Sequence, residues 1–112
     1  MAAFRLPKET LEQQSARSQA IQQAYKAAVE PPMKVCTRSL RVLELALLVA
    51  EHGNPSAASD AGVGALLAVT ALEGGALNVQ INLGSIKDEA FRTAQEGKVQ
   101  AAQFILPTIA KT

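Results

Sequence analysis

The sequence predicts an all-α fold, an antiparallel bundle of about four helices, and three observations predict it. Ala and Leu dominate a chain in which 48% of residues are hydrophobic but only 4% aromatic, a balance that favours helix over strand. Apolar residues recur at three- and four-residue spacings, and no useful stretch alternates apolar with polar. Helix start and stop signals divide the chain at short intervals. The β-branched pair Val79 and Ile81 is too short and too embedded to make a strand.

The 112 residues make a single domain, 1–112, large enough for a core but not a generous one. Eleven basic and ten acidic residues leave a net charge of +1, and they are dispersed, so neither nucleic acid nor an anionic membrane surface is an expected partner. A lone cysteine, Cys36, excludes an internal disulfide framework and suits a reducing compartment. The opening MAAFRLPKET lacks the apolar core of a signal peptide. The apolar run from Gly62 to Leu72 is too short to span a bilayer. The expectation is a cytoplasmic helical protein with no membrane partner.

Thr10 with Gln13 forms a T-x-x-Q capping box, so a first helix is expected from there to about Val29, turning Leu11, Ile21, Ala24, Tyr25 and Ala28 inward. Pro31 and Pro32 are expected to break it. A second helix follows from Met33 to His52. Cys36, Leu40, Leu43, Leu47 and Ala50 make its stripe, and Val35, Val42, Leu45 and Val49 widen it, which predicts neighbours on most sides. Gly53 stops it, and Asn54 with Pro55 suits the start of the next. A central helix is expected to about Leu83, with Gly84 breaking it. Ser85 with Asp88 then caps a last helix that turns Ile86, Ala90, Phe91 and Ala94 inward. Gly97 and Pro107 blur its far end.

The central stretch, Gly53 to Gly84, is nearly uncharged and rich in small residues. On a helix turning about 100° per residue, Asp60 and Asn78 share a face, and Asn82 follows one turn on. Gly64, Leu67, Ala71, Gly74 and Gly75 fall in or near that stripe. Such a face admits a close-packed helix or a flat ligand.

GNPSAASDAGVGALL followed by ALNVQINLGSIKD, together with AFRLPKET, AYKAA and the proline of EPPMKV, resembles the cyclodeaminase/cyclohydrolase family. That family includes the cyclodeaminase part of formiminotransferase-cyclodeaminase and bacterial methenyltetrahydrofolate cyclohydrolases. The resemblance runs from Ala2 to about Asp88 and rests on G-N, S-D-A-G-V and N-V-x-I-N at these separations. It implies an all-helical, homodimeric, cytoplasmic domain acting on one-carbon derivatives of tetrahydrofolate as substrate, without a further cofactor. The family's P-T-P-G-G-G-S loop and upstream helices have no counterpart here. The chain is therefore expected to correspond to the C-terminal half of such a domain, its bundle completed by a partner chain or by the missing half.

Under that resemblance Asp60 is the candidate catalytic acid or base, against a plain first-turn carboxylate. Asn78 and Asn82 are candidate pterin ligands, against ties between helices. Asn54 is a third substrate-binding candidate, with helix capping the stronger reading. His52 suits a helix end, and with no second His nearby no metal site is expected. Cys36 reads as core, and Lys87, Arg92 and Lys98 as a solvated face. The competing function is a helical interaction module, catalytically incomplete for want of the upstream loop.

Overall fold

In the computed structural model, which describes residues 2–110, three helices carry the chain: α1 (Leu11–His52), α2 (Ala58–Leu83) and α3 (Glu89–Ala110). Short 3-10 turns at Ala2–Arg5 and Pro55–Ala57 precede α1 and α2. No strand occurs among the described residues, so the all-α expectation holds. Three helices stand where about four were expected, because α1 does not break at its prolines.

Continuity at Pro31 and Pro32 has a local cause. A proline inside a helix withdraws the amide that would serve the carbonyl four residues back. Pro32 thus strips Ala28, and the Asn82 carboxamide nitrogen on α2 donates to the Ala28 carbonyl oxygen at 3.4 Å. Pro31 strips Ala27, which is exposed and open to water. One lost hydrogen bond is replaced from the neighbouring helix and the other is left to solvent, so α1 runs on for 42 residues.

The start of α1 is as its sequence signals. Thr10 Oγ1 accepts from the Gln13 amide at 3.0 Å and the Gln13 side chain accepts from the Thr10 amide at 3.1 Å, the reciprocal capping box. Leu11 is exposed rather than inward, since the first turns of α1 project past α2. Ahead of it the 3-10 turn folds back, and Phe4 meets Tyr25 edge-on with ring centroids 6.4 Å apart.

Helices α1 and α2 form a close antiparallel hairpin. At their crossing Gly75 is buried; a Cβ there would lie 2.8 Å from the Pro32 carbonyl oxygen and 3.0 Å from Cys36 Sγ. The Cys36 thiol donates to the Leu72 carbonyl at 3.4 Å, and burial, chiefly, pushes its pKa up. Gly53 makes the turn between the helices, where a Cβ would come within 2.5 Å of the Val49 carbonyl oxygen.

Helix α3 lies along one flank of this hairpin. Val99 joins Val29, Met33, Val79, Leu83 and Ile86 in one cluster, and Ala102 joins Leu43, Ala68 and Leu72 in a second. Asp88, not Ser85, caps α3: its Oδ1 accepts from the Phe91 amide at 3.0 Å. Ser85 stays in the preceding loop, which Gln22 clamps by donating to the Ser85 carbonyl and accepting from the Lys87 amide. Ile86 is buried, but from that loop, while Ala90 and Ala94 face solvent. Lys26 pairs with Asp88 at 2.9 Å and lies over the Phe91 ring.

The other flank is bare. Val35, Val42, Leu45 and Val49, expected under neighbouring helices, are each more than two-fifths exposed. On α2, Leu67 (66% exposed) lies on the same flank, and Leu77 and Ile81 are also exposed. Pro55–Leu83 is, by length and composition, apolar enough to cross a membrane, which the shorter run read from the sequence was not. Eleven of its 29 residues are Ala or Gly, it carries Asp60 and Glu73, and α1 alongside carries Lys34, Arg38, Arg41 and Glu44. Leu72, Val79 and Leu83 pack against protein.

Candidate functional site

The candidate residues divide between the two ends of α2. Asn54 sits in the turn before it: Oδ1 accepts from the Ser56 amide at 3.1 Å and the main-chain oxygen accepts from Ala57 at 2.8 Å. This is the capping arrangement expected of an Asn followed by Pro. Asp60 lies in the first turn of α2 with an exposed side chain. Asn78 is exposed, about five turns along α2 from Asp60. Asn82, one turn further on, is half-buried and spends its amide nitrogen on Ala28.

Sharing a face is not sharing a site. Asp60 and Asn78 are 18 residues apart, and at 1.5 Å per residue the helix separates them by about 27 Å. Within a single chain, no one ring system touches both. The sequence pattern located the stripe but gave no weight to its length.

Between these ends, on the bare flank, an open groove of about 620 Å³ runs between α1 and α2. Gly64, Leu67 and Ala71 line it from α2; Val35, Ser39 and Val42 line it from α1, with Lys34 and Arg38 at its edge. The groove offers apolar walls and two cations, and no carboxylate lines it. A second hollow, of about 420 Å³, opens near the α1–α2 turn among Leu43, Leu47, Ala50, Ala61 and Val69. It lacks the convergent polar groups that orient a polar ligand. Neither hollow includes Asp60 or Asn78.

Nothing in the sequence spacing of Lys34 and Arg38 marks them as groove-lining. Lys34 also pairs with Glu30 at 2.9 Å on the α1 surface. Among the described residues no three His, Cys, Asp or Glu side chains gather as a metal cage would need. His52 ends α1 beside Glu51, at 3.6 Å.

Comparison with known proteins fixes the lineage. The model of the formiminotransferase-cyclodeaminase family matches residues 1–101. The chain belongs to that family. Over 91 residues it is 44% identical to a methenyltetrahydrofolate cyclohydrolase of Methylorubrum extorquens, covering 81% of this chain and 44% of that protein. A formimidoyltransferase-cyclodeaminase of Gallus gallus is 43% identical over 96 residues, 83% of this chain and 17% of the relative. One of Rattus norvegicus is 32% identical over 111 residues, 91% and 20% respectively. This family member therefore spans less than half the length of the curated relatives it matches.

Proposed function

We propose that the chain is a helical part of a folate one-carbon enzyme that acts as a formiminotetrahydrofolate cyclodeaminase or a methenyltetrahydrofolate cyclohydrolase. The observation that carries the reading is the 44% identity to a methenyltetrahydrofolate cyclohydrolase across four-fifths of the chain. The 43% identity to a formimidoyltransferase-cyclodeaminase keeps both reactions in view. Both centre on the same one-carbon unit between N5 and N10 of the reduced pterin. In the deaminase direction N10 attacks the formimino carbon and the departing amine takes up a proton as ammonia leaves. In the hydrolase direction water adds to the methenyl carbon, loses a proton, and one carbon–nitrogen bond opens to leave the formyl product.

A single carboxyl group serves either reaction as acid or base, and Asp60 is the residue assigned to it. Its position at the start of α2 leaves the carboxylate exposed and free to meet a ligand. Asn78 is assigned to the pterin, whose edge alternates donors and acceptors as a carboxamide does, and, being about 27 Å from Asp60 along one helix, it joins the Asp60 site only from another protomer. Asn82 contributes by holding α1 together as well as by its remaining acceptor. Asn54 shapes the turn that presents Asp60.

The experiment is turnover on each substrate separately, following ammonia release from the formimino compound and loss of the methenyl compound. Asp60→Asn keeps the size of the side chain but cannot exchange a proton. Turnover should fall about 100- to 10,000-fold with folate binding little changed. A folded Asp60→Asn protein with near-normal rate would remove Asp60 from the chemistry, and inactivity of the longest natural form on both substrates would remove the function.

A further inference from the structure

Among the described residues Ser39 is the one polar side chain buried in the core, 8% exposed, and it lines the open groove on the bare flank. The hydroxyls of Thr37 and Thr70 return to main-chain carbonyls of their own helices, at 3.2 and 3.1 Å. That of Ser39 has no hydrogen-bond partner among the described residues, and the little of it that is exposed opens into the groove. Burying a hydroxyl without a partner costs free energy that an alanine in its place would not. Ser39 thus aims a polar group at something its own chain does not supply.

The surroundings of that hydroxyl narrow what it meets. Beside it Arg38 stands at the groove edge and takes part in no ion pair among the described residues. Lys34, one turn away, is already paired with Glu30 at 2.9 Å, so the uncompensated charge of the groove is that of Arg38. The α2 side is a shelf: Gly64, Ala68 and Ala71 line it and carry nothing beyond a Cβ. From Gly64 to Ala71 it is about 10 Å long, room for two fused aromatic rings. We propose that the groove binds a flat aromatic ring system bearing a carboxylate, the ring on this shelf and the carboxylate held between the Ser39 hydroxyl and the Arg38 guanidinium.

The register of the two helices sets the direction of the ligand. The Cys36 thiol donates to the Leu72 carbonyl, so Ser39, about one turn further along the antiparallel α1, lies nearer the Ala71 end of the shelf. A carboxylate there accepts from Ser39 and Arg38 together, both charge-assisted bonds. The ring then runs toward Gly64 between Val42 and Leu67, whose side chains stand exposed on either side. The opposite direction would lay the ring against the Lys34–Glu30 pair. At Gly64 a Cβ would meet nothing within 4 Å, so the shelf is open at that end, one turn from Asp60. Acids of this kind have two sources, a free aromatic acid and the benzoylglutamate end of a folate. Only the second rests on the function proposed above, and it would point the one-carbon unit toward Asp60.

Binding of 2-naphthoate to the full chain tests the site without any turnover. The chain has no Trp, so the fluorescence of the probe is read directly. Wild type should bind saturably, one probe per chain. Arg38→Gln should weaken binding about 10- to 100-fold and remove the preference for 2-naphthoate over the neutral 2-naphthamide. Ser39→Ala should weaken it about tenfold without lowering the thermal midpoint, because that hydroxyl has no partner in the fold. Gly64→Leu should keep its helical circular dichroism and lose the probe, the new side chain growing into the shelf.

Absence of saturable binding to wild type would overturn the proposal, as would affinities unchanged in Arg38→Gln and Ser39→Ala. A Ser39→Ala protein that melts earlier and binds as well as wild type would make the serine structural. Equal affinity for decanoate would refute the flat ring, and affinity that falls as protein concentration rises would give the groove to a second copy. Competition by 4-aminobenzoylglutamate assigns the acid to a folate; naphthoate that stays bound in its presence assigns a free acid. A protein that holds naphthoate through Ser39 and Arg38 but turns over neither folate keeps the groove and loses the proposed function.

Discussion

The two flanks of the α1–α2 hairpin are built from the same two helices and similar side chains, yet one is finished and the other is not. On the α3 flank Val29, Leu72, Val79 and Val99 are essentially buried and their neighbours interdigitate. On the groove flank Val35, Val42 and Leu67 stand open, and Gly64 and Gly74 support nothing in their own chain. Composition is therefore a poor guide to where a core lies; what distinguishes the flanks is whether the chain itself returns to cover them.

Leucine truncation should sharpen that contrast most. Leu72→Ala, in the finished flank, should cost about 2–5 kcal/mol, while Leu67→Ala should stay within about 0.5 kcal/mol for the single chain. Denaturant titration of both at one fixed low concentration checks it, and equal losses would erase the distinction. Adjacent glycines give the next largest difference. Gly75→Ala forces a methyl group against the Pro32 carbonyl and should cost about 1–3 kcal/mol. Gly74→Ala, with open space around it, should stabilise the isolated helix hairpin by up to about 1 kcal/mol.

Asn82→Ala should cost about 1–2 kcal/mol even without ligand, because it leaves the Ala28 carbonyl unpaired at the prolines. Loss of folate binding with unaltered stability would instead return Asn82 to a purely ligand-facing role. The smallest effect concerns Asp88, whose carboxyl is held below its ordinary range first by the hydrogen bond from Lys26 and then by the Phe91 amide. A lowered folded-state pKa means the carboxylate's contribution is present above the unfolded value and fades as pH falls through the folded one. The difference in melting temperature between wild type and Asp88→Asn should shrink as the solution is acidified below the ordinary carboxylate range. A difference that grew on acidification would deny the Lys26–Asp88 link to α3.

Much of this was legible beforehand. Local signals that depend on a few adjacent residues came through: the Thr10–Gln13 box, the Asn54–Pro55 turn and the breaks at Gly53 and Gly84. So did the α1 stripe of Cys36, Leu40 and Leu43, because its period is a property of the helix itself. The readings that failed each depended on a distant partner. Pro31–Pro32 signals a break to anyone who cannot see Asn82, 50 residues later. Ser85 looks like a cap until Gln22 claims its loop, and Val42 and Val49 look buried because nothing in their pattern says which neighbours are present. Of the candidate site, the face was legible and the distance along it was not weighed.

The repair at Pro32 has a consequence for how the molecule is made. Without α2 in place, the segment from Leu11 to His52 lacks two successive amides at its middle, and an isolated peptide of this sequence should behave as two helical pieces about a soft joint. The joint stiffens only when the hairpin closes and Asn82 reaches Ala28. The long rod is thus a product of assembly rather than its starting material. Its straightness reports on docking of α2, so an order-sensitive probe spanning residues 27 to 36 would watch the hairpin close.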